Sequence, residues 1–291
     1  MDTSLNMTYP ATIFCVVPVH NRASITKRFL DQLRRQNYPA MRVLVVDDGS
    51  TDGTGAMLES YRGLQLEVVA GTGHLWWGGA MRLGMQVAAR QMGPQDALLM
   101  LNDDVELGDD FLARIAERAR ELGPLSVIGA RQQDIDTGQE PFFGYRVDYL
   151  RCRVEMLRNP PSRTALMDVD ALCGRGTLFS RAVIDRAGYV DSHKFPHFWG
   201  DIEYSARAKD LGFRLVCDTN IAVGTSFVAS DEKRIGSNWW HRLVSPVSSS
   251  NIVQHYLFWA SRGPKLLAKT AVFRFPFLKL SSVLIGAARG R

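Results

Sequence analysis

A run of five apolar residues that ends in an amide and two carboxylates most constrains how this chain can fold. Residues 97–101 are Ala-Leu-Leu-Met-Leu, and Asn102, Asp103 and Asp104 follow directly. Such a run between turn-forming segments predicts a strand buried on both faces, with its polar end at the ligand-binding edge of an α/β sheet. Adjacent carboxylates repel each other unless a cation neutralises them, so we predict a divalent metal site here. The alternative is an ordinary surface turn, in which Asn and Asp are also common.

Apolar runs and helical patterns alternate through the first hundred residues, which is typical of a parallel sheet with right-handed crossovers. Strands are predicted at 12–18, 43–46, 66–69 and 97–101, and helices at 24–33 with Ser24 as N-cap, 55–61 and 79–92. Polar clusters follow three of the strands, at 18–22, 47–50 and 102–104. Because the carboxyl ends of parallel strands meet at one edge of a sheet, we expect these clusters to line one cleft.

The same pattern disfavours two common classes of nucleotide-binding fold. The sequence has no Gly-x-x-x-x-Gly-Lys-Ser/Thr motif, and its glycine cluster at 71–84 does not follow the first strand. P-loop and dinucleotide-binding folds are therefore disfavoured. Asp47 could instead accept a hydrogen bond from a pyrimidine N–H, and backbone N–H groups near Gly49 could face a ribose or a phosphate.

Composition indicates an intracellular globular protein. The chain has 291 residues, of which 46% are hydrophobic, enough for one large core or two modest ones. Its four cysteines are scattered, which favours free buried thiols in a reducing compartment over disulfides. Residues 1–10 do not resemble a signal peptide, and no apolar run reaches the length that spans a bilayer. We expect a cytoplasmic protein, soluble or peripheral on the inner face of the cell membrane.

Positive charge is concentrated in residues 231–291, a segment that also contains many aromatic residues. This segment carries a net charge of +8, whereas the whole chain carries +5. Residues 1–230 are therefore net acidic. A basic, aromatic C-terminal extension could lie on an anionic membrane, pack on the domain as a helical pair, or form a homodimer. Nucleic acid is not expected as a partner, because no groove-reading motif is present.

Five segments keep a common order and spacing between residues 10 and 215. They are Pro-Val-His-Asn-Arg at 18–22, Val-Val-Asp-Asp-Gly-Ser-Thr-Asp-Gly-Thr at 45–54, Leu-Asn-Asp-Asp-Val at 101–105, Cys-Gly-Arg-Gly-Thr-Leu-Phe at 173–179, and Trp-Gly-Asp-Ile-Glu-Tyr-Ser-Ala-Arg-Ala at 199–208. Together they resemble the inverting family 2 nucleotide-sugar glycosyltransferases. Residues 73–81 are similar to a variant in bacterial surface-polysaccharide enzymes, including rhamnosyltransferase-like ones.

The resemblance implies an α/β protein with the GT-A (Rossmann-like) fold, a mixed, mostly parallel sheet flanked by helices. The GT-A domain would span residues 1–230, with a nucleotide-binding half at 10–105 and an acceptor or catalytic half at 106–230. Residues 231–291 would form the basic helical extension.

The resemblance also implies roles for individual residues. Asp104 would bind the metal, and Asp201 would be the catalytic base, although it could simply cap the helix that it opens. Residues implied in nucleotide or donor binding are Pro18, His20, Asn21, Arg22, Asp47, Gly49, Trp77, Gly79, Asn102, Asp103 and Gly174. Residues implied on the acceptor side are Arg175, Trp199 and Glu203, of which Glu203 is also the alternative base.

The chain departs from the family pattern at three positions. Asn102 replaces the first Asp of the metal motif, which leaves an amide oxygen able to face the ribose. Gly200 replaces the Glu that precedes the base. The family often has a metal-binding His after the strand near 213–217, whereas this chain has Ala-Val-Gly-Thr at 222–225. His241 is a candidate replacement, although a contact with nearby aromatic residues is the stronger interpretation.

The expected function is metal-dependent inverting transfer of a sugar. The donor would be a UDP- or dTDP-sugar, the acceptor a saccharide or lipid-linked saccharide of surface-polysaccharide synthesis, and the cofactor Mg²⁺ or Mn²⁺. One alternative is a sugar-nucleotide nucleotidyltransferase, which would need a basic, glycine-rich loop near residue 20, where only Arg22 is present. Another is a non-catalytic module that binds saccharides or nucleotides.

Overall fold

The computed structural model describes residues 9–137, 141–158, 165–226, 244–245, 248 and 251–261. The helices are α1 (Ala23–Arg34), α2 (Thr54–Ser60), α3 (Trp76–Gln91), α4 (Phe111–Leu122), α5 (Arg181–Ala187), α6 (Gly200–Asp210) and α7 (Ile252–Ala260). The strands are β1 (Ile13–Val19), β2 (Met41–Asp47), β3 (Leu66–Ala70), β4 (Ala97–Met100), β5 (Val105–Leu107), β6 (Ser126–Asp134), β7 (Tyr145–Asp148), β8 (Arg153–Met156), β9 (Leu166–Asp168), β10 (Thr177–Ser180) and β11 (Arg214–Thr225).

A mixed sheet forms the centre of the protein, in the order β3-β2-β1-β4-β10-β6-β11-β5, with β9 paired to β11. Strands β1 to β4 are parallel to one another, as the sequence predicts. Strand β10 is antiparallel to both β4 and β6, and its first residue, Thr177, pairs with Met100 at the end of β4. The residues before Thr177 therefore lie beside the acidic turn that follows β4.

Two hydrophobic layers cover the sheet. Helices α1 and α4 pack on one face through residues such as Phe29 and Phe111, and α3, α5 and α6 pack on the other through residues such as Met81 and Tyr204. Strand β4 is buried on both faces, which confirms the prediction for this apolar run. Burial of each large apolar side chain contributes roughly 1.5–3 kcal/mol, so the two layers hold the strand ends rigidly.

Two helices begin at residues other than those predicted. Helix α1 begins at Ala23, so the prediction of Ser24 as its N-cap is wrong. Its first N–H groups are satisfied from the loop after β2, because the Asp52 carboxylate accepts a hydrogen bond from the Ala23 N–H at 3.1 Å. Helix α3 begins at Trp76 rather than residue 79, since the Asp48 carboxylate accepts the N–H of Trp76 at 3.1 Å. Capping by residues distant in sequence explains both differences.

Helix α7 packs against the rest of the protein through a small aromatic cluster. Phe258 and Trp259 are buried with Val147 and Phe195, and Trp199 packs beside them. The centre of the Phe258 ring lies 5.2 Å from that of Trp199. This part of the predicted C-terminal extension is thus a helix packed on the domain, and residues 262–291 lie outside the described part of the chain.

The cysteines follow the sequence-based expectation. Cys15, Cys173 and Cys217 are buried thiols, Cys152 is half-buried, and all four are free. Among the residues that the structure describes, no helix has both the length and the hydropathy needed to cross a membrane.

Candidate active site

The turn after β4 holds two carboxylates that differ in their surroundings. Asp103 is buried, and its two oxygens accept hydrogen bonds from Arg22 Nη1 at 3.1 Å and from the Thr26 hydroxyl at 2.7 Å. Burial raises the pKa of Asp103, and the Arg22 charge and the Thr26 hydrogen bond act in the opposite direction. Asp103 therefore fixes the turn to helix α1 through both of its oxygens.

Asp104 has one oxygen bound and one oxygen unpaired. Its Oδ2 accepts a hydrogen bond from Arg22 Nη1 at 2.9 Å. Its Oδ1 is inaccessible to solvent and has no hydrogen-bond partner among the described residues. Leaving a buried acceptor unsatisfied costs about 1–3 kcal/mol, and more for a charged group. Carboxylate oxygens are preferred ligands of Mg²⁺ and Mn²⁺, so Asp104 fits a divalent cation at this position.

Within the part of the chain that the structure describes, Asp104 is not surrounded by a complete set of protein ligands for a metal. In the described ranges, no three His, Cys, Asp or Glu side chains come together as a metal site. The proposed ligand His241 lies outside the described residues. Magnesium commonly binds proteins through one or two carboxylates, with waters and substrate phosphates completing its coordination. Asp104 alone is compatible with that mode of binding.

The Asn102 side chain is oriented by Trp77. Trp77 Nε1 donates a hydrogen bond to Asn102 Oδ1 at 2.9 Å. Because an indole N–H can only donate, the amide oxygen must face the indole and the amide nitrogen must point away from it. The amide nitrogen of Asn102 therefore presents N–H donors, and its oxygen keeps a second acceptor position. The implied contact of this oxygen with a ribose stays a prediction.

Asp201 lies in the first turn of α6, directly after Trp199 and Gly200. Its Oδ2 accepts a hydrogen bond from the Gly174 N–H at 2.7 Å, and its Oδ1 accepts one from the Ile202 N–H at 2.8 Å. Burial raises the pKa of Asp201 above its ordinary value, although the two N–H groups and the charge of Arg175 act in the opposite direction. The helix terminus alone would lower this pKa, so burial is the dominant effect.

Arg175 supplies a half-buried positive charge close to the carboxylates of Asp104 and Asp201. Its Nη1 donates a hydrogen bond to the Thr225 hydroxyl at the end of β11, at 2.8 Å. Burial acts to lower the pKa of Arg175, but nearby acidic groups, Cys173 and Tyr145 first and then Asp104 and Asp201, raise it overall. The guanidinium therefore remains charged and acts on both carboxylates.

The other two residues implied on the acceptor side make contacts within α6 and with α7. The Glu203 carboxylate is buried and forms an ion pair with Arg207 at 3.0 Å, on the same helix. The ring of Trp199 contacts His255 of α7, with ring centres 4.2 Å apart. Both side chains thus make contacts that stabilise the fold around α6.

The residues implied in nucleotide binding come together at the ends of β1 and β2. Pro18 pairs with Val46 inside the sheet, and His20 Nδ1 lies 2.7 Å from the Asp48 carbonyl oxygen. Asn21 Oδ1 accepts the Thr51 N–H at 2.7 Å. Asp47 Oδ1 accepts the Ser50 N–H at 3.0 Å. These contacts join the two loops into one wall of the cleft, as the common sheet edge predicts.

Asp48 is the residue that sequence reasoning missed at this edge. It is buried, and its two oxygens accept the N–H groups of Gly73, Leu75 and Trp76 at 2.8, 2.8 and 3.1 Å. Gly49, at φ +69°, packs so closely that an added Cβ would lie 2.9 Å from Gly73 Cα. The sequence feature that could have indicated this role is the pair of adjacent acids at 47–48. A buried second carboxylate in such a pair is stable only if it accepts hydrogen bonds.

We predict that Asp48→Ala lowers the free energy of unfolding by about 3 kcal/mol, because three buried N–H groups lose their acceptor. Urea denaturation measures this difference. Asp48→Asn keeps one acceptor oxygen and should lose less. Equal stability of the wild-type protein and Asp48→Ala would contradict this role.

Comparison with known sequences identifies the family. The sequence model of glycosyl transferase family 2 matches residues 14–187, which is more than half of the chain. The chain belongs to glycosyl transferase family 2. This glycosyltransferase matches no curated protein sequence. Membership of the family decides against the two alternatives, a nucleotidyltransferase and a non-catalytic module.

Solved structures confirm the GT-A fold of this family 2 glycosyltransferase. S. aureus TarS (1–349) in complex with UDP-GlcNAc is 16% identical, with a TM-score of 0.63 over 93% of this chain and 73% of that chain. The mannosyltransferase PcManGT from Pyrobaculum calidifontis, in complex with GDP-Man and Mn²⁺, is 18% identical, with a TM-score of 0.61 over 98% and 77%. GalNAc-T7 with UDP, GalNAc and Mn²⁺ is 14% identical, with a TM-score of 0.60 over 74% and 43%. The chain spans 42% of the longer TarS structure.

Two glycines of the family 2 glycosyltransferase, both implied in donor binding, lie where backbone packing is tight. A Cβ on Gly79 would lie 3.0 Å from Leu75 Cβ, inside the first turns of α3. A Cβ on Gly174 would lie 2.7 Å from Trp77 Cζ2. A side chain at Gly79 would need a small shift of Leu75, and one at Gly174 would need Trp77 to move. Gly174 also donates its N–H to Asp201.

Proposed function

We propose that this glycosyltransferase is metal-dependent and inverting, and that it moves a sugar from a UDP- or dTDP-sugar to a saccharide or lipid-linked saccharide. The observation that carries the proposal is the buried, unpaired Oδ1 of Asp104 at the carboxyl edge of the sheet. A buried carboxylate oxygen without a partner is stabilised by a cation. A departing diphosphate is also stabilised by a cation, which neutralises its negative charge. TarS has been crystallised with UDP-GlcNAc, and PcManGT with GDP-Man and Mn²⁺.

Asp104 would hold the metal, Mg²⁺ or Mn²⁺, through Oδ1. When bound, the ion supplies positive charge against the diphosphate. Arg22 keeps Asp104 Oδ2 in a hydrogen bond at 2.9 Å, which orients the carboxylate and leaves Oδ1 without a hydrogen-bond partner among the described residues. Arg175 adds a second positive charge, which is near enough to Asp104 for each to act on the other.

Asp201 would act as the general base of a single displacement. The acceptor hydroxyl oxygen bonds to the anomeric carbon as the bond between that carbon and the diphosphate oxygen breaks. The electron pair of the broken bond leaves on the diphosphate, and the hydroxyl proton passes to the Asp201 carboxylate. Attack opposite to the leaving group inverts the anomeric configuration.

The nucleotide would bind along the wall formed by the loops after β1 and β2. Asp47 is our candidate for the contact with the nucleobase. Gly49 has no side chain, so the nucleotide could lie close to its backbone. Asn102 would donate an N–H to the ribose or diphosphate, because its amide nitrogen points away from Trp77.

Calorimetric titration with a panel of nucleotide sugars, with and without Mn²⁺, tests the proposal directly. We expect heat of binding from a UDP- or dTDP-sugar that depends on Mn²⁺. The anomeric configuration of the product, measured by NMR, should be opposite to that of the donor. Metal-independent binding and turnover would contradict metal dependence, and retention of configuration would contradict the single displacement.

The raised pKa of Asp201 predicts the pH dependence of turnover. A base must be ionised, so kcat/KM should fall as the pH is lowered through this pKa, at a higher pH than for an ordinary carboxyl group. The charge of Arg175 lowers the pKa of Asp201, so Arg175→Gln should move this acidic limb to still higher pH. A pH profile of kcat/KM measures both effects. An acidic limb at the ordinary carboxyl value would contradict the assignment.

The cellular setting that we propose is surface-polysaccharide synthesis at the inner face of the cell membrane. Residues 231–291 carry a net charge of +8, which suits anionic lipid. Sedimentation with anionic vesicles tests this, with a variant that ends after Ser261 and so retains α7 as the control. Equal sedimentation of the full chain and the shortened variant would contradict a membrane role for residues 262–291.

A further inference from the structure

The Trp77 side chain lies between the metal-binding turn and the loop that carries the base. Its indole nitrogen donates to Asn102 Oδ1 at 2.9 Å. The other side of the ring faces two glycines: a Cβ added to Gly174 would lie 2.7 Å from Cζ2 and 3.1 Å from Cη2, and one added to Gly200 would lie 3.3 Å from Cζ3. One rigid ring system therefore touches both halves of the site.

The two glycines are the residues that fix Asp201. The Gly174 N–H donates to Asp201 Oδ2 at 2.7 Å, and Gly200 directly precedes Asp201 in the chain. A Cβ on Gly174 would also lie 3.3 Å from Asp201 Cβ. A ring that presses on both glycines thus limits where the carboxylate can move.

The backbone next to Trp77 is attached to the same loop. The Gly78 N–H donates to the Pro196 carbonyl oxygen at 2.7 Å, and a Cβ on Gly78 would lie 2.3 Å from the Phe195 carbonyl oxygen. Helix α3 and the segment before Asp201 are therefore in direct backbone contact. The start of α3 is itself held by Asp48, through the Leu75 and Trp76 N–H groups.

We propose that Trp77 is a positioning residue that sets the distance between the acidic turn and the base. Its N–H orients Asn102 for the donor, and its ring supports the Gly174 and Gly200 backbone that orients Asp201. The inference rests on the proposed role of Asp201. Transfer requires the acceptor oxygen, the anomeric carbon and the leaving oxygen to be aligned, and a misplacement of about 1 Å can cost about 100-fold in rate.

Two substitutions separate the two contacts. Trp77→Phe removes the N–H but keeps most of the ring, so we expect it to raise the KM for the donor about tenfold, the value of one hydrogen bond between polar groups, with little change in kcat. Trp77→Leu removes the ring, so we expect kcat to fall about 100-fold. It should also move the acidic limb of the pH profile to higher pH, because the Gly174 N–H would no longer be held against Asp201.

Two further variants replace the partner of Trp77 in each contact. Asn102→Ala should weaken donor binding in calorimetry as Trp77→Phe does, and the double variant should be no weaker than either single one. Gly174→Ala places a methyl group against the indole, so it should lower kcat as Trp77→Leu does. Phe29→Leu, in the core on the opposite face of the sheet, is the control for lost stability and should leave kcat unchanged.

The proposal is overturned if Trp77→Leu lowers kcat no more than Phe29→Leu, or if its acidic limb stays at the wild-type pH. Additive losses in Trp77→Phe and Asn102→Ala would overturn the coupling between those two side chains. If the proposed role of Asp201 as the base is wrong, the result is different. Turnover would then survive in Asp201→Asn, independently of the effects of the Trp77 variants.

Discussion

Replacement of Asp201 by Asn is expected to lower kcat by about 10³-fold while the affinity for the nucleotide-sugar donor stays unchanged. Loss of a general base typically costs 10²–10⁴-fold, and Asn cannot accept the acceptor proton. The Asn oxygen can still accept the Gly174 N–H, which keeps the side chain attached to the segment before β10, although the Ile202 N–H loses its acceptor. Steady-state kinetics measure the loss of turnover, and calorimetric titration of the donor measures binding.

Glu203→Gln is the matched control, because Glu203 is the other acid at the start of α6. Its carboxylate is buried against Arg207, so we expect this change to lower the free energy of unfolding by about 1–3 kcal/mol and to leave kcat within a few-fold. The opposite pattern, with turnover kept in Asp201→Asn and lost in Glu203→Gln, would make Glu203 the base.

Asp104→Asn is expected to abolish tight binding of Mn²⁺ and to lower kcat/KM by about 10²–10³-fold, the cost of losing one strong charge-stabilising group. A neutral amide cannot supply the anionic oxygen that now lies buried and unpaired. Titration of the free Mn²⁺ signal by electron paramagnetic resonance measures metal binding without reference to activity.

Asp103→Asn is the control for the metal site. Asp103 is bound at both oxygens, by Arg22 and Thr26, so its replacement should weaken the turn and lower stability while Mn²⁺ binding persists. Wild-type Mn²⁺ affinity in Asp104→Asn would show that the metal binds elsewhere. Loss of Mn²⁺ binding in both variants, with the fold intact, would assign the metal to the pair of acids.

The sheet edge could be predicted because it depends on local patterns. Strand β4 is a short apolar run, and the loops at 18–22 and 47–50 follow strands parallel to it. In a parallel sheet these ends must share one edge, so clustering follows from the order of apolar and polar residues alone.

The features that sequence reasoning missed depend on contacts between distant residues. Asp48 caps a helix that begins 28 residues later, and Asp52 caps one that begins 29 residues earlier. The Asn102 amide orientation is set by Trp77, and the pKa of Asp201 is set by burial rather than by its helix terminus. Propensities describe neighbours along the chain, so they do not identify the distant partner in any of these contacts.

The antiparallel strand β10 belongs to the same group of features. Residues 177–180 are fully buried, and a short strand buried on both faces shows no direction in its sequence. Its reversal brings Gly174 and Arg175 beside the turn after β4, and so makes the cleft two-sided. The family resemblance implied a mixed sheet, whereas the sequence pattern alone implied only parallel strands.

The packing of α7 on Trp199 determines how much of the chain a fragment for enzymatic work must contain. Trp199 has a strained φ of +70° and leads directly into Gly200 and Asp201. Phe258, from far along the chain, covers this residue and the buried Phe195. An expression fragment that ends at residue 230 would lack α7, so Phe195 and Trp199 would be exposed to water. The segment that leads into Asp201 would then lose its packing. The smallest fragment suitable for mechanistic work therefore runs through Ala260.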